Sequence, residues 1–160
     1  MGVTPYMQPM PPQQGWAANV VQGRCFMAGL STGTVAGDYS FSDLFLPTTA
    51  TVNAYVMAIM AATVANATLG LASETVAPAG TRVLGVNANV GGPASQAGGL
   101  ASYATTQPGS GMGYFPFSEA APYNLLVAGP VALAPGTGLV VGVLSATEAI
   151  QVTWYWIEAF

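Results

Sequence analysis

Residues 148–160, EAIQVTWYWIEAF, constrain the fold more than any other stretch of the chain. Taken with period two, one face carries Ile150, Val152, Trp154 and Trp156, bounded by Glu148 and Glu158. The other face carries Gln151, Thr153, Tyr155 and Ile157. β-Branched and aromatic residues in this alternation predict a strand with one apolar face and one mixed face. Two tryptophans on a single face form the largest block of apolar area in the sequence. That face has to be buried, either inside a sandwich or at the axis of an oligomer.

The rest of the chain is punctuated to match. LVVGVLS precedes the terminal strand with only a short SAT turn between them, which predicts that the two pair as a hairpin. In APGTG (Ala134 to Gly138), Pro135 pre-sets φ and Gly136 supplies a positive φ, so a tight turn is expected. LLVAGPVAL is a strand interrupted at Gly129–Pro130, which places it at an edge or a bulge. Tyr39 to Leu46 alternates, with Tyr39 and Phe41 opposite Ser40 and Ser42. Asn19 to Leu30 reads as the first strand, with Gly23 and Gly29 as its weak points, and Thr81 to Val90 as another.

In Thr51 to Leu71, Val52, Ala54, Val56, Ala58 and Met60 share one face, and a break near Ala65–Asn66 divides two strands. The uncharged run Val52 to Ala72 is long enough for a bilayer. It contains Asn53 and Asn66 and lacks flanking Lys or Arg, so it is expected to be buried in protein and not to span a membrane. Short strands at eight- to twelve-residue spacing, separated by Gly and Pro turns, predict an all-β fold, a sandwich or a barrel. The predicted organisation is an extended Pro/Gln-rich N-terminal arm over residues 1–17 and a single β-sandwich domain over 18–160. Aromatics at both ends of the arm, Tyr6 and Trp16, are candidate anchors on a neighbour.

Charge narrows the function. The 160 residues include two Arg, six Asp or Glu, no Lys and no His, so 5% are charged where about 25% is usual. Two arginines cannot build a phosphate-tracking surface, and no basic cluster exists for an anionic membrane, so neither nucleic acid nor membrane is an expected partner. Without His the commonest general base is missing, and one Cys cannot make a zinc site. GSGMG (Gly109 to Gly113) lacks the Lys of a phosphate loop. Asp38 and Asp43 bracket a short segment without the Asp-x-Asp core of a calcium loop. No catalytic residue, cofactor or metal is expected, and Cys25 reads as a small buried hydrophobe. Residues 1–20 show no secretory signal, so synthesis in the cytoplasm is expected. A surface this poor in charge does little to keep molecules apart, which favours a life in an assembly.

The layout LAPGTGLVVGVLS followed by EAIQVTWYWIEAF, an arm at the other end and an Ala/Gly/Thr-rich body nearly free of charge resembles the small virion proteins of tailed bacteriophages, the capsid decoration (cement) and head-fibre proteins. The resemblance is closest over residues 124–160. It implies a jelly-roll, a homotrimer, a place on the outer capsid surface and partners consisting of the major capsid protein and further copies of the chain. The arm would clip onto neighbours, and Tyr6, Trp16, Trp154, Trp156 and Phe160 would be assembly contacts. Two alternatives are a carbohydrate-binding module of a fibre, with Trp154, Trp156 or Tyr103 as stacking platform, and a small major coat subunit.

Overall fold

The computed structural model describes residues 12–32, 39–63, 69–77, 79–80, 82–104, 114–115, 125–143 and 149–159. Its elements are α1 (Pro12–Val21), β1 (Cys25–Ser31), β2 (Tyr39–Leu46), β3 (Asn53–Thr63), β4 (Leu69–Glu74), β5 (Arg82–Leu84), β6 (Val86–Asn87), β7 (Gly98–Ala104), β8 (Tyr114–Phe115), β9 (Leu125–Leu133), β10 (Thr137–Val143) and β11 (Ile150–Ala159).

Eight of the strands pair as nested rungs. β1 pairs antiparallel with β11, β2 with β10, β3 with β9, and β4 with β8. This long folded hairpin then wraps, so that β11 also pairs β3 and β10 also pairs β4. The result is one sheet in the order β6-β1-β11-β3-β9 (sheet A) against a second in the order β5-β7-β2-β10-β4-β8 (sheet B). With β5 to β7 set aside, this is the eight-stranded jelly-roll order, a β-sandwich as the strand spacing allowed and as the resemblance implied. β5, β6 and β7 form an insertion between β4 and β8. Within it, β7 and β5 extend sheet B beside β2, and β6 extends sheet A beside β1.

The expected hairpin of the last two strands does not form. β10 lies in sheet B between β2 and β4, and β11 lies in sheet A between β1 and β3. Each is a central strand, and each finds its partners on earlier parts of the chain. The physical reason is burial. β10 is buried at six of its seven positions, and the Trp face of β11 is fully buried, so each strand needs neighbours on both sides and a layer beneath.

The N-terminal expectation is corrected as well. Residues 12–17 are not extended. They open α1, in which Pro12 occupies the first helical position, where its missing N–H costs nothing. The helix ends where Asn19 to Leu30 was expected to start a strand. Arg24 N–H bonds the Asn19 carbonyl at 2.9 Å, Gly23 N–H bonds the Val20 carbonyl at 2.9 Å, and Gly23 has φ +68°. This double bond closing over a left-handed glycine is a Schellman stop. The stop is itself tied to the sandwich, since Asn89 Nδ2 donates to the Val21 carbonyl (3.1 Å) and Asn87 Nδ2 to the Gly23 carbonyl (2.8 Å). Thr81 to Val90 likewise divides: β5 belongs to one sheet and β6 to the other.

The pair β3 and β4 takes the place of the long uncharged run, and among the described residues no helix is long and apolar enough to cross a membrane. The facing of β3 differs from strict alternation. Trp156 stands opposite Val56 and Tyr155 opposite Ala58, so Met57 is an extra residue, a β-bulge. Val56 and Ala54 point inward before it, whereas after it Ile59, Ala61 and Thr63 do, and Met60 turns out to 41% exposure. One inserted residue has switched the buried set. β9 lies at the edge of sheet A with its own irregularity opposite Met57, as Gly129–Pro130 suggested. Gly136 has φ +82°, and the Thr137 N–H bonds the Ala134 carbonyl at 3.1 Å, as expected for the APGTG turn.

Candidate functional site

The tryptophans resolve first. Trp154 and Trp156 are fully buried within a single chain, in one core cluster with Phe26, Leu44, Val56, Ile59 and Leu139 among others. They are therefore neither assembly contacts nor a glycan platform. Each indole N–H has a partner, as a buried Trp requires. Trp154 Nε1 donates to Ser42 Oγ at 2.9 Å, reaching from sheet A to sheet B. Trp156 Nε1 donates to Glu158 Oε1 at 3.1 Å, and its ring stacks on Phe26 with centroids 5.9 Å apart. Ser42 faces inward for this reason, and the Tyr39/Phe41 side of β2 faces outward. Tyr6 and Phe160 lie outside the described residues, as do the side chains of Tyr103 and Trp16, whose backbone is part of α1.

Glu158 was expected only to bound the strand, yet it is a buried hub. Its carboxylate accepts from Ser95 Oγ (2.6 Å), from the backbone N–H of Gln96 (3.0 and 3.1 Å) and Ala97 (3.1 Å), and from the Trp156 indole. Gln96 in turn holds the backbone N–H of Thr51 at 2.9 Å. A cleft of about 210 Å³ between the Gly23–Arg24 turn and the Pro93–Gln96 loop reaches this carboxylate, but the oxygens are already committed to the fold. Among the described residues no group of three His, Cys, Asp or Glu could hold a metal ion. Cys25 is buried, and burial raises its thiol pKa.

Sheet B carries a second polar feature on its outer face. Asp43 on β2 and Glu74 on β4 flank β10 and are 1% and 2% exposed. Arg82 on β5 sits beside them. Its Nη2 is 3.6 Å from Asp43 Oδ2, its Nη1 donates to the carbonyls of Gly98 (3.0 Å) and Phe45 (3.4 Å), and its guanidinium lies 5.0 Å over the Phe45 ring. Arg82 thus fastens the insertion to the edge of β2. Sequence alone gave one pointer to Asp43: it shares its face with Tyr39, Phe41 and Phe45, where a carboxylate is out of place.

The outer face of sheet A is of a different kind. Its rungs run Val86–Met27–Tyr155–Ala58, then Gly29–Thr153–Met60, then Ile157–Tyr55. Val86 is 68% exposed, Met60 41% and Met27 38%. No charged residue stands at an outward position of β1, β3 or β11. With strands ~4.8 Å apart and residues ~3.4 Å apart, five strands of about seven residues present ~600 Å². The apolar side chains on that face are Met27, Tyr55, Met60, Tyr155 and Ile157, with Asn53, Gln151 and Thr153 among them, and an uncharged face of this kind suits a binding surface.

No protein-family model, no curated protein and no solved structure matches this chain.

Proposed function

We propose that the protein is a structural virion protein, a capsid decoration (cement) protein that binds the outer surface of a tailed-phage capsid as an oligomer, a homotrimer, and stabilises the shell. The major capsid protein and other copies of the chain are its partners, and it performs no chemistry. The observation that carries this proposal is the uncharged outer face of sheet A, centred on Met27, Tyr155 and Met60. Its ~600 Å² approaches the ~800 Å² per partner of a standard interface. Flexible methionines and tyrosines suit such a surface. A protein bound at many equivalent positions stabilises a shell by mass action and multivalency, with no catalytic group required.

The carbohydrate alternative loses its main support, because both candidate tryptophans are sealed inside the sandwich. The test uses the full chain and its double variant Met27→Lys/Met60→Lys, which places two charges on the face without touching the core. Light scattering should give an oligomer for the parent and a folded monomer for the variant, and only the parent should raise the melting temperature of capsids prepared without it. A monomeric parent that does not bind such shells would overturn the proposal.

A further inference from the structure

Asp43 and Glu74 present a charge problem that the fold has to solve. Both carboxyls are buried, and only Arg82 stands near them as a cation. Among the described residues no hydrogen bond of good geometry reaches any of the four carboxyl oxygens, and the Arg82 contact is 3.6 Å. Yet the two side chains stand on the same face on either side of β10, Asp43 opposite Val140 and Glu74 opposite Gly138 two residues along, and they act directly on each other. Two carboxylates cannot bond one another, whereas a carboxylic acid and a carboxylate can. Gly138 on β10 makes this approach feasible: a β-carbon there would lie 2.9 Å from Glu74 Oε1 and 2.8 Å from both the Leu44 carbonyl and the Phe45 ring. The glutamate lies across the glycine toward β2.

We propose that Asp43 and Glu74 share one proton at neutral pH, and that this proton is a latch joining β2 to β4 across β10, released in mild alkali. With one proton in the pair and Arg82 charged, the cluster is neutral overall. Without the proton, two buried carboxylates face a single guanidinium. The surroundings of the two carboxyls act in the same direction. Burial and the negative charge of Asp43 push Glu74 up to about 9, and burial raises Asp43 to about 6 against the pull of Glu74 and Arg82. Of the elements packed against the pair, β10 offers Gly138 and Val140 there and β7 offers Gly98 and Leu100, while β8 places Tyr114 opposite Ala72, two positions from Glu74; a tyrosine ordinarily ionises only near pH 10.

The sign follows from linkage. The native pair keeps a proton that the unfolded chain has released by pH 6, so the stabilisation is fully present below the ordinary carboxyl range, about pH 4, declines as pH rises through neutrality, and is gone above about 9. The chain has no His, so no other side chain titrates ordinarily between pH 6 and 8. The latch does not depend on the assembly proposal.

The experiment is thermal unfolding of the full chain by circular dichroism at pH 6, 7 and 8, with and without calcium chloride or EDTA. One excess native proton lowers Tm by ~3–5 °C per pH unit in a domain of this size. Glu74→Gln keeps the size and still donates a hydrogen bond to Asp43 but cannot ionise, so its Tm should stay within ~1 °C per pH unit. Carboxyl ¹³C shifts of the unaltered chain give a second readout, in which Glu74 should still be protonated at pH 8. A Tm that is flat or rising with pH, an equal slope in Glu74→Gln, or both carboxyls ionised at pH 7 would each overturn the shared proton. A Tm raised by calcium and returned by EDTA would replace it with a cation site.

Discussion

Replacing Gly85 by Ala tests how closely the insertion is fitted to the core. Gly85 carries the chain from β5 in sheet B to β6 in sheet A, directly over the indole of Trp156. A β-carbon there would overlap Cη2 and Cζ2 of that ring, with the Phe26 β-carbon 3.3 Å away on another side. The ring has little freedom to retreat, because it is fully buried, stacked on Phe26 and bonded through Nε1 to Glu158. Overpacking a core costs ~1–3 kcal/mol. If the indole shifts far enough to lose its bond to the carboxylate, a further ~1.5–3 kcal/mol is expected. The total of ~2.5–6 kcal/mol corresponds to a fall in Tm of ~5–24 °C. Urea unfolding followed by tryptophan fluorescence would measure it, and the decisive comparison is a double-mutant cycle with Trp156→Phe. Phenylalanine lacks the overlapping carbons, so Gly85→Ala should cost no more than ~1 kcal/mol in that background. An equal cost in both backgrounds would refute the steric account.

Two further predictions concern the polar partners of the buried aromatics. Trp154→Phe deletes the only bond from an indole to Ser42 Oγ among the described residues and leaves a hydroxyl unpaired in the core; a loss of ~2–4 kcal/mol is expected, and adding Ser42→Ala should recover ~1 kcal/mol of it in chemical denaturation. Glu158→Gln turns an acceptor-only carboxylate into a group with two donors facing the N–H groups of Gln96 and Ala97. It should cost ~1–3 kcal/mol and speed amide exchange at residues 95–97 before the rest of the sandwich, with uniform exchange counting against the hub.

The strands themselves were legible because alternation in YSFSDLFL and EAIQVTWYWIEAF reports local geometry, and so was the turn at Pro135–Gly136. Partner choice was not. Nothing local in LVVGVLS says that it joins Tyr39–Leu46 and not the strand that follows it, because that outcome depends on which nested arrangement buries both strands on all sides. The bulge at Met57 was hidden for a related reason: a single extra residue is fixed by the register of β11 and carries no signature of its own. Pro12, Gln13 and Gln14 looked extended from composition, whereas the Schellman stop at Gly23 and the Asn87 and Asn89 side chains hold the segment's end as a helix. The acid pair was invisible because its members lie 31 positions apart and meet only across β10. Glu158 was legible only as the boundary of the apolar face, because the Ser95–Ala97 loop that closes over it lies more than 60 positions away.

The nesting of the strands also fixes an order of events during synthesis. β1 and β3 leave the ribosome early, but the strand that fits between them is β11, made after every other strand. Until it arrives, sheet A is two separated ribbons with a strand-wide slot. Each ribbon exposes an unpaired edge, and the pocket for two indoles stands empty. For most of its synthesis the nascent chain is therefore a receptor for its own C-terminal segment, open meanwhile to any other strand of suitable sequence.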